Sequence, residues 1–282
     1  MKNLSRNQPL LGTCVEIDIS AEVAEHEIIA LSNLAFGEIR RIQALMSFHD
    51  PESELSRINR EAHLHPVEIS DDMEFVLQFA RLLSDLTKGA YDISVVPELM
   101  AQGGLPALYE PHAQTGNWRD IRLSKGRVFF SRELKIDLGG IAKGYAVDAA
   151  FEILAVAMPD LDKLVINAGG DLRMQQWHGE TVQIRSPDPR TRGEFSKVDM
   201  LAPAMATSAP HYAGNASLIV NRQAGCLEKS GDSISVFAPS CMIADTLTKA
   251  VFLYDAPASI LARFGASGLR LTQGGDEMRV AA

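Results

Sequence analysis

The densest concentration of residues able to do chemistry is the run from Ile136 to Asp148, IDLGGIAKGYAVD. Lys135 to Leu138 alternates polar and apolar like a strand, Gly139–Gly140 follows, and an apolar helical pattern runs on to about Ala157. Glycines at a strand-to-helix turn let a ligand approach the backbone closely. A helix N-terminus offers unpaired N–H groups and partial positive charge, which suits phosphate, and Lys143 adds a full charge. The combination points to an anion-binding turn for a phosphate or pyrophosphate. A tight turn with a surface lysine is the plainer alternative, because short glycine-rich matches are common. The run is neither GxGxxG nor GxxxxGK[ST]. A second constellation lies between Cys241 and Tyr254, where Asp245 and Lys249 are four residues apart and share a helix face. Asp245 interrupts an apolar pattern, and an unpaired buried acid is costly, so it reads as functional. Lys249 alone also fits a lysine whose stem covers apolar surface. His49 and His211 fit ordinary polar roles as well as catalysis. Asp92 fits local capping, Tyr145 fits a core position, and Thr207–Ser208 fits a turn.

The elements that must position these residues are legible in part. Leu10 to Ile19 reads as a strand and Ala24 to Met46 as a long amphipathic helix. Asp50–Pro51 marks a turn, and Ser53 is placed to cap a short helix carrying Leu55 and Ile58. Pro66 to Ser70 reads as a short strand. Ser70 starts a helix to about Thr87, with Phe75, Phe79, Leu82, Leu83 and Leu86 expected inward. Ala101 to Asn117 is the best candidate for a mobile loop. Trp118–Leu123 and Arg127–Phe130 read as a hairpin, and Lys163–Asn167 as a buried strand closed by AGGD. Strands are expected around Leu172–Gln176, Val182–Arg185, Phe195–Leu201, Ser217–Asn221, Ser233–Ala238 and Leu269–Thr272. Helices are expected over Cys241–Tyr254 and Pro257–Phe264. This order lacks strict βαβ alternation, so the reading is α+β, mixed β-sheets flanked by helices. No repeat or domain boundary interrupts it, so residues 1–282 are expected to form a single domain.

Composition narrows the function classes. The 282 residues carry 46% hydrophobic side chains and a net charge of −9. With no long basic run, nucleic-acid binding through a basic face is excluded as a leading reading. Cys14, Cys226 and Cys241 form neither a disulfide framework nor a zinc pattern. No stretch reaches the length needed to span a bilayer, and the N-terminus lacks the apolar core of an export signal. The expectation is a cytoplasmic protein, monomer or homodimer. A chain relieved of its export signal would read the same and would be periplasmic.

Several stretches, in order, resemble the ApbE family, the FAD:protein FMN transferases. Leu11-Gly12-Thr13 is similar to its opening M-G-T, and SELSRIN over 53–59 to its S-E-L-S-R-x-N. Ala90-Tyr91-Asp92 resembles its F-D or Y-D site. Asp137 to Asp148 is similar to its most recognisable block. Asn167 to Asp171 resembles its G-G-D/E turn, Thr207-Ser208 its T-S-G, and Ala244 to Ala250 its A-D-A-L-x-T-A helix. The similarity covers about residues 10 to 255 and implies an ApbE-like, T-fold-related architecture.

The resemblance implies that FAD is bound in a cleft and cut at its pyrophosphate. FMN then passes, with Mg²⁺ assisting, to a Ser or Thr hydroxyl of an acceptor flavoprotein. Carried over by position, flavin contacts are Leu11, Phe48, His49, Ala90, Tyr91, Asp92, Gly139, Lys143, Tyr145, Asp148 and Ile219. Metal ligands are the Ala142 backbone oxygen and Asp245, and the catalytic set is Asp245, Lys249 and His211. Two departures from the family stand out. Lys249 occupies a position where the family commonly has Thr, and an ammonium has no acceptor for a metal. Thr248 beside it is the substitute ligand, about a quarter-turn away. In the block resembling H-x-I-D-P-x-T-G, Leu218 and Asn221 replace the histidine and the aspartate, with His211 the candidate substitute. An FAD pyrophosphatase and a non-catalytic FAD-binding protein are the competing readings.

Overall fold

The computed structural model describes residues 2–106, 108–109, 116–191, 193–209, 219–222, 226–228 and 230–280. His211 and Leu218, and most of the loop expected to be mobile after Tyr109, lie outside the described residues. The chain begins with β1 (Lys2–Leu10) and β2 (Thr13–Ala21), then α1 (Glu25–Met46), α2 (Glu54–Glu61), β3 (Val67–Glu68), α3 (Asp71–Leu86) and α4 (Val96–Ala101). The hairpin β4 (Ile121–Leu123) and β5 (Arg127–Phe130) precedes α5 (Ala142–Ala157). Next come β6 (Lys163–Ala168), β7 (Asp171–Met174), β8 (Thr181–Arg185), β9 (Phe195–Asp199) and β10 (Ala204–Ser208). Short strands β11 (Val220–Asn221) and β12 (Cys226–Leu227) lead to β13 (Ser233–Ala238), α6 (Cys241–Leu253), α7 (Pro257–Arg263), β14 (Ser267–Leu271) and β15 (Glu277–Val280).

Eight strands form the main sheet in the order β1-β2-β6-β7-β10-β13-β14-β15. Each pairing within it is antiparallel. The α+β class holds, and the mixed sheet resolves into an antiparallel one.

Strand alternation decides which side chains meet which layer. Val15, Ile17 and Ile19 of β2, Leu164 and Ile166 of β6, and Ile234 and Val236 of β13 all join the core beneath the helices. The helices α1, α5 and α6 pack together over that face. Phe237, Leu172, Met174 and Met205 point the other way and are covered by Ile184, Val182 and Val198 of the β8–β9 hairpin. Three helices, α2, α3 and α6, start on a side-chain cap. Ser53 accepts from Ser56 N at 3.0 Å, Ser70 from Met73 N at 3.2 Å, and Ser240 from Ile243 N at 3.4 Å.

Three expectations are corrected. Phe75 and Leu82 of α3 are exposed, and the buried stripe is Met73, Val76, Leu77, Ala80 and Leu83. Thr207–Ser208 lies inside β10 rather than in a turn. Lys135–Leu138 has no regular secondary structure and joins no strand ladder. Its backbone groups go instead to the Asn59 side chain and the Ile93 carbonyl.

Candidate functional site

A cleft of about 590 Å³ opens where the β1–β2 turn, the end of α1, the 91–95 segment, the glycine bend and α6 converge. That volume suits a small-molecule site. The β1–β2 turn has two central residues, Leu11 at φ 55° and Gly12 at φ 70°, between paired Leu10 and Thr13. Positive φ at both positions is the geometry that matches strand twist in a tight hairpin. Leucine is strained there, and such strain clusters at binding sites. Leu11 N donates to Gln43 Oε1 at 2.6 Å, which ties the turn to α1.

The glycine bend works by space rather than by unusual backbone angles. A Cβ on Gly139 would lie 2.9 Å from Asp137 Oδ2, the atom that accepts Gly139 N at 2.9 Å. Asp137 lines the cleft, and burial pushes its carboxyl above the usual carboxylate range.

The amino end of α5 does not present its amides to the cleft in the way the sequence implies. Gly144 N donates to Asp245 Oδ2 at 3.2 Å, so the chain's own carboxylate occupies that end. Gly144 allows this contact between helices, since a Cβ there would stand 2.5 Å from Cys241 O. Asp245 is fully buried. Its Oδ1 is ion-paired with the Lys249 ammonium, which also donates to Asp245 O at 3.0 Å. Beside them Lys143 Nζ contacts Asp171 Oδ2 at 2.5 Å. Burial alone would lower the Lys143 ammonium, and Asp171 and Asp245 more than reverse this, so it is protonated at neutral pH. Burial likewise opposes ionisation of Asp245, yet Lys249 and Lys143 hold its carboxyl below the usual range. The lysines line the cleft and the carboxylates lie behind them.

Of the residues singled out in the sequence, Leu11, Phe48, His49, Tyr91, Asp92, Gly139, Ala142, Lys143, Ile219 and Lys249 line the cleft. Ala90, Tyr145, Asp148, Asp245 and Thr248 do not. Ala90 is buried one residue from the lining. Tyr145 donates to Asp72 Oδ1 at 2.6 Å, away from the cleft. Asp148 accepts from Cys241 N at 2.9 Å and Met242 N at 2.8 Å, so it neutralises the amino end of α6. Asp92 is held by Arg222, whose Nη1 lies 2.8 Å from Oδ2.

Sequence reasoning passed over Asp137, Asp171 and Arg222. The first two stand inside quoted motifs, where their acidity beside glycine was the available signal. Arg222 carried none, because its partner is 130 positions away.

The donor set does not fit the Mg²⁺ that the resemblance implies. Both Asp245 carboxylate oxygens are engaged, one by a cation. Thr248 Oγ1 donates to Asp245 O at 2.7 Å and pairs with Ser208 Oγ at 2.7 Å. Ala142 is the first residue of α5, where a carbonyl accepts from the amide four residues on. Among the described residues no group of three or more His, Cys, Asp or Glu is placed to hold a metal.

Fold and site together define an α+β protein whose ligand cleft is bordered by a glycine bend and two paired lysines. The ApbE family model matches residues 11–264. The chain belongs to the ApbE family. The FAD:protein FMN transferase of Haemophilus influenzae is 28% identical over 265 residues, covering 84% of this chain and 74% of that one. The FAD:protein FMN transferase of Chlamydia pneumoniae is 26% identical, covering 85% and 81%. Among solved structures, the ApbE protein of Thermotoga maritima superposes with a TM-score of 0.81 at 24% identity, covering 99% of this chain and 97% of that one. The flavin transferase ApbE of Vibrio cholerae gives 0.81 at 22% identity over the same shares. Among the described residues no helix is long and apolar enough to cross a membrane.

Proposed function

We propose that this protein moves the FMN half of FAD onto a Ser or Thr hydroxyl of an acceptor flavoprotein. Membership of the ApbE family and the names of the curated relatives support the reaction class. The observation that carries it to this chain is the pair of ammoniums, Lys143 and Lys249, bordering the glycine bend of the cleft. A diphosphate laid along that bend meets positive charge where charge grows as phosphoryl transfer proceeds.

The step balances simply. The acceptor oxygen bonds to the FMN phosphorus, the bridging P–O bond breaks, and AMP leaves with the bond's electron pair. The hydroxyl proton is released, and the acceptor gains FMN less one water. Tyr91 and Phe48 offer the aromatic wall that a flavin ring uses. No step here is routed through Mg²⁺, because the residues present do not suit it.

The test is intact-mass analysis of a candidate acceptor flavoprotein incubated with FAD and this protein. A flavinylated acceptor and one AMP per transfer is the expected result. An acceptor left unmodified here but modified by a characterised relative counts against the reading. Free FMN with AMP and no adduct would assign water as the acceptor instead.

A further inference from the structure

The geometry points to a flavin site that runs without a divalent cation, with Lys249 and Lys143 supplying the positive charge at the diphosphate; this rests on the FAD reading above. Four observations carry it. First, the exposure is ordered. Lys249 and Lys143 side chains are 16% and 34% exposed, while their partners Asp245 and Asp171 are 0% and 2%. The cations face the cleft and the anions stand behind, so an incoming anion meets ammonium first.

Second, the place where a metal would sit on Asp245 is held by Lys249 through two contacts, one to Oδ1 and one to the backbone carbonyl. The remaining oxygen, Oδ2, accepts Gly144 N. A cation entering there would meet a fixed positive charge within a hydrogen bond's length of its ligand, and that repulsion is strong in a partly dehydrated site. Third, the ammonium is held in place by its two contacts to Asp245. Lys249 is one helical turn from Asp245, and its Cε lies 3.5 Å from the position a Cβ on Gly140 would take. The stem therefore runs beside the bend, one methyl's width from Gly140. Fourth, the donors suffice. An ammonium has three N–H donors; the contacts above use two on Lys249 and one on Lys143. Among the described residues the rest have no other partner and are available to the oxygens of a diphosphate, and the formal charge of the four groups is zero before it arrives.

Two readouts on the unaltered protein test this. The first is FAD affinity by flavin fluorescence with EDTA and with millimolar Mg²⁺ or Mn²⁺. The second is the melting temperature of the flavin-free protein as Mg²⁺ alone is added. Affinity the same with EDTA and with metal, and a melting temperature indifferent to Mg²⁺, is the expected result. A K249T variant supplies the contrast. Its unpaired Asp245 becomes a cation acceptor, so Mg²⁺ raises its melting temperature and EDTA weakens its FAD binding by about tenfold or more. If the unaltered protein loses FAD in EDTA, or is stabilised by Mg²⁺ alone, the metal-free site is overturned and the FAD reading stands. If FAD fails to bind with or without metal, both fall together.

Discussion

The side chain of Asn59 brackets the peptide of Ile136. Its Nδ2 donates to the Ile136 carbonyl at 2.9 Å and its Oδ1 accepts the Ile136 N–H at 2.8 Å. One buried amide on α2 thus stands in for a neighbouring strand and fixes the segment that enters the glycine bend. Asn59→Ala orphans a buried donor and a buried acceptor. The expected cost is about 2–4 kcal/mol by denaturant unfolding, with weaker FAD binding because Asp137 and the bend lose their anchor. A variant as stable as the parent would show that water takes over both bonds.

Gly144 and Gly140 differ in what a methyl group would meet. At Gly144 it would stand 2.5 Å from the Cys241 carbonyl oxygen, so α5 and α6 would have to part. At Gly140 it would lie 3.5 Å from a flexible lysine stem, an ordinary contact. Gly144→Ala is therefore expected to lose about 1–3 kcal/mol or more of stability and to break the Gly144–Asp245 bond. Gly140→Ala is expected to fold normally and to reduce FAD affinity, because the methyl enters the lining beside Lys249. Equal melting temperatures for the two variants would refute the close helix approach.

These contrasts explain what the sequence could and could not disclose. The helices α1, α5 and α6 were legible because their apolar spacing is helical over three or more turns. That Asp245 and Lys249 share a helix face follows from spacing alone; their ion pair is seen in the structure. The face of α3 differs from expectation because large apolar residues lie on both sides of the helix; Met73, Val76, Leu77, Ala80 and Leu83 are buried while Phe75 and Leu82 are exposed. A turn is one reading of Thr207–Ser208 because Ala206, Thr207 and Ser208 are small or polar, yet they belong to strand β10. That strand is interior, between β7 and β13. Edge strand β1 is polar and alternates only between exposed and half-buried positions over most of its length. Asp148 was grouped with the flavin contacts, and only the fold brings it to the amino end of α6.

Asp72 links α1, α3 and α5. Arg41 Nη1 lies 2.6 Å from its Oδ2 and Tyr145 donates to its Oδ1 at 2.6 Å. The Arg41 hydrogen bond, helped by Tyr145 against the effect of burial, holds the Asp72 carboxyl below the usual carboxylate range. The unfolded chain therefore binds the proton first as pH falls. The stabilisation is complete above the ordinary carboxylate pKa of about 3.9 and is lost as pH falls through the lower folded value. Asp72→Asn is expected to remove this part of the acid sensitivity, so the melting temperatures of variant and parent should converge as pH falls below about 4. A constant gap across that range would mean that Asp72 contributes without its charge.

Tyr91 is 4% exposed, lines the cleft, and its buried hydroxyl has no hydrogen-bond partner among the described residues. Burial, with Asp245, Asp137 and Asp92 nearby, pushes its phenol well above the ordinary range, so it is a neutral donor at any working pH. A donor buried without a partner costs the folded protein and is repaid when a ligand accepts from it. Tyr91→Phe is therefore expected to leave the flavin-free melting temperature unchanged or slightly higher. FAD affinity should fall about five- to tenfold, the value of roughly one hydrogen bond. The two readouts separate a ligand role from a packing role, because lost packing would lower the melting temperature first. Unchanged FAD affinity in a stable variant would remove Tyr91 from the site.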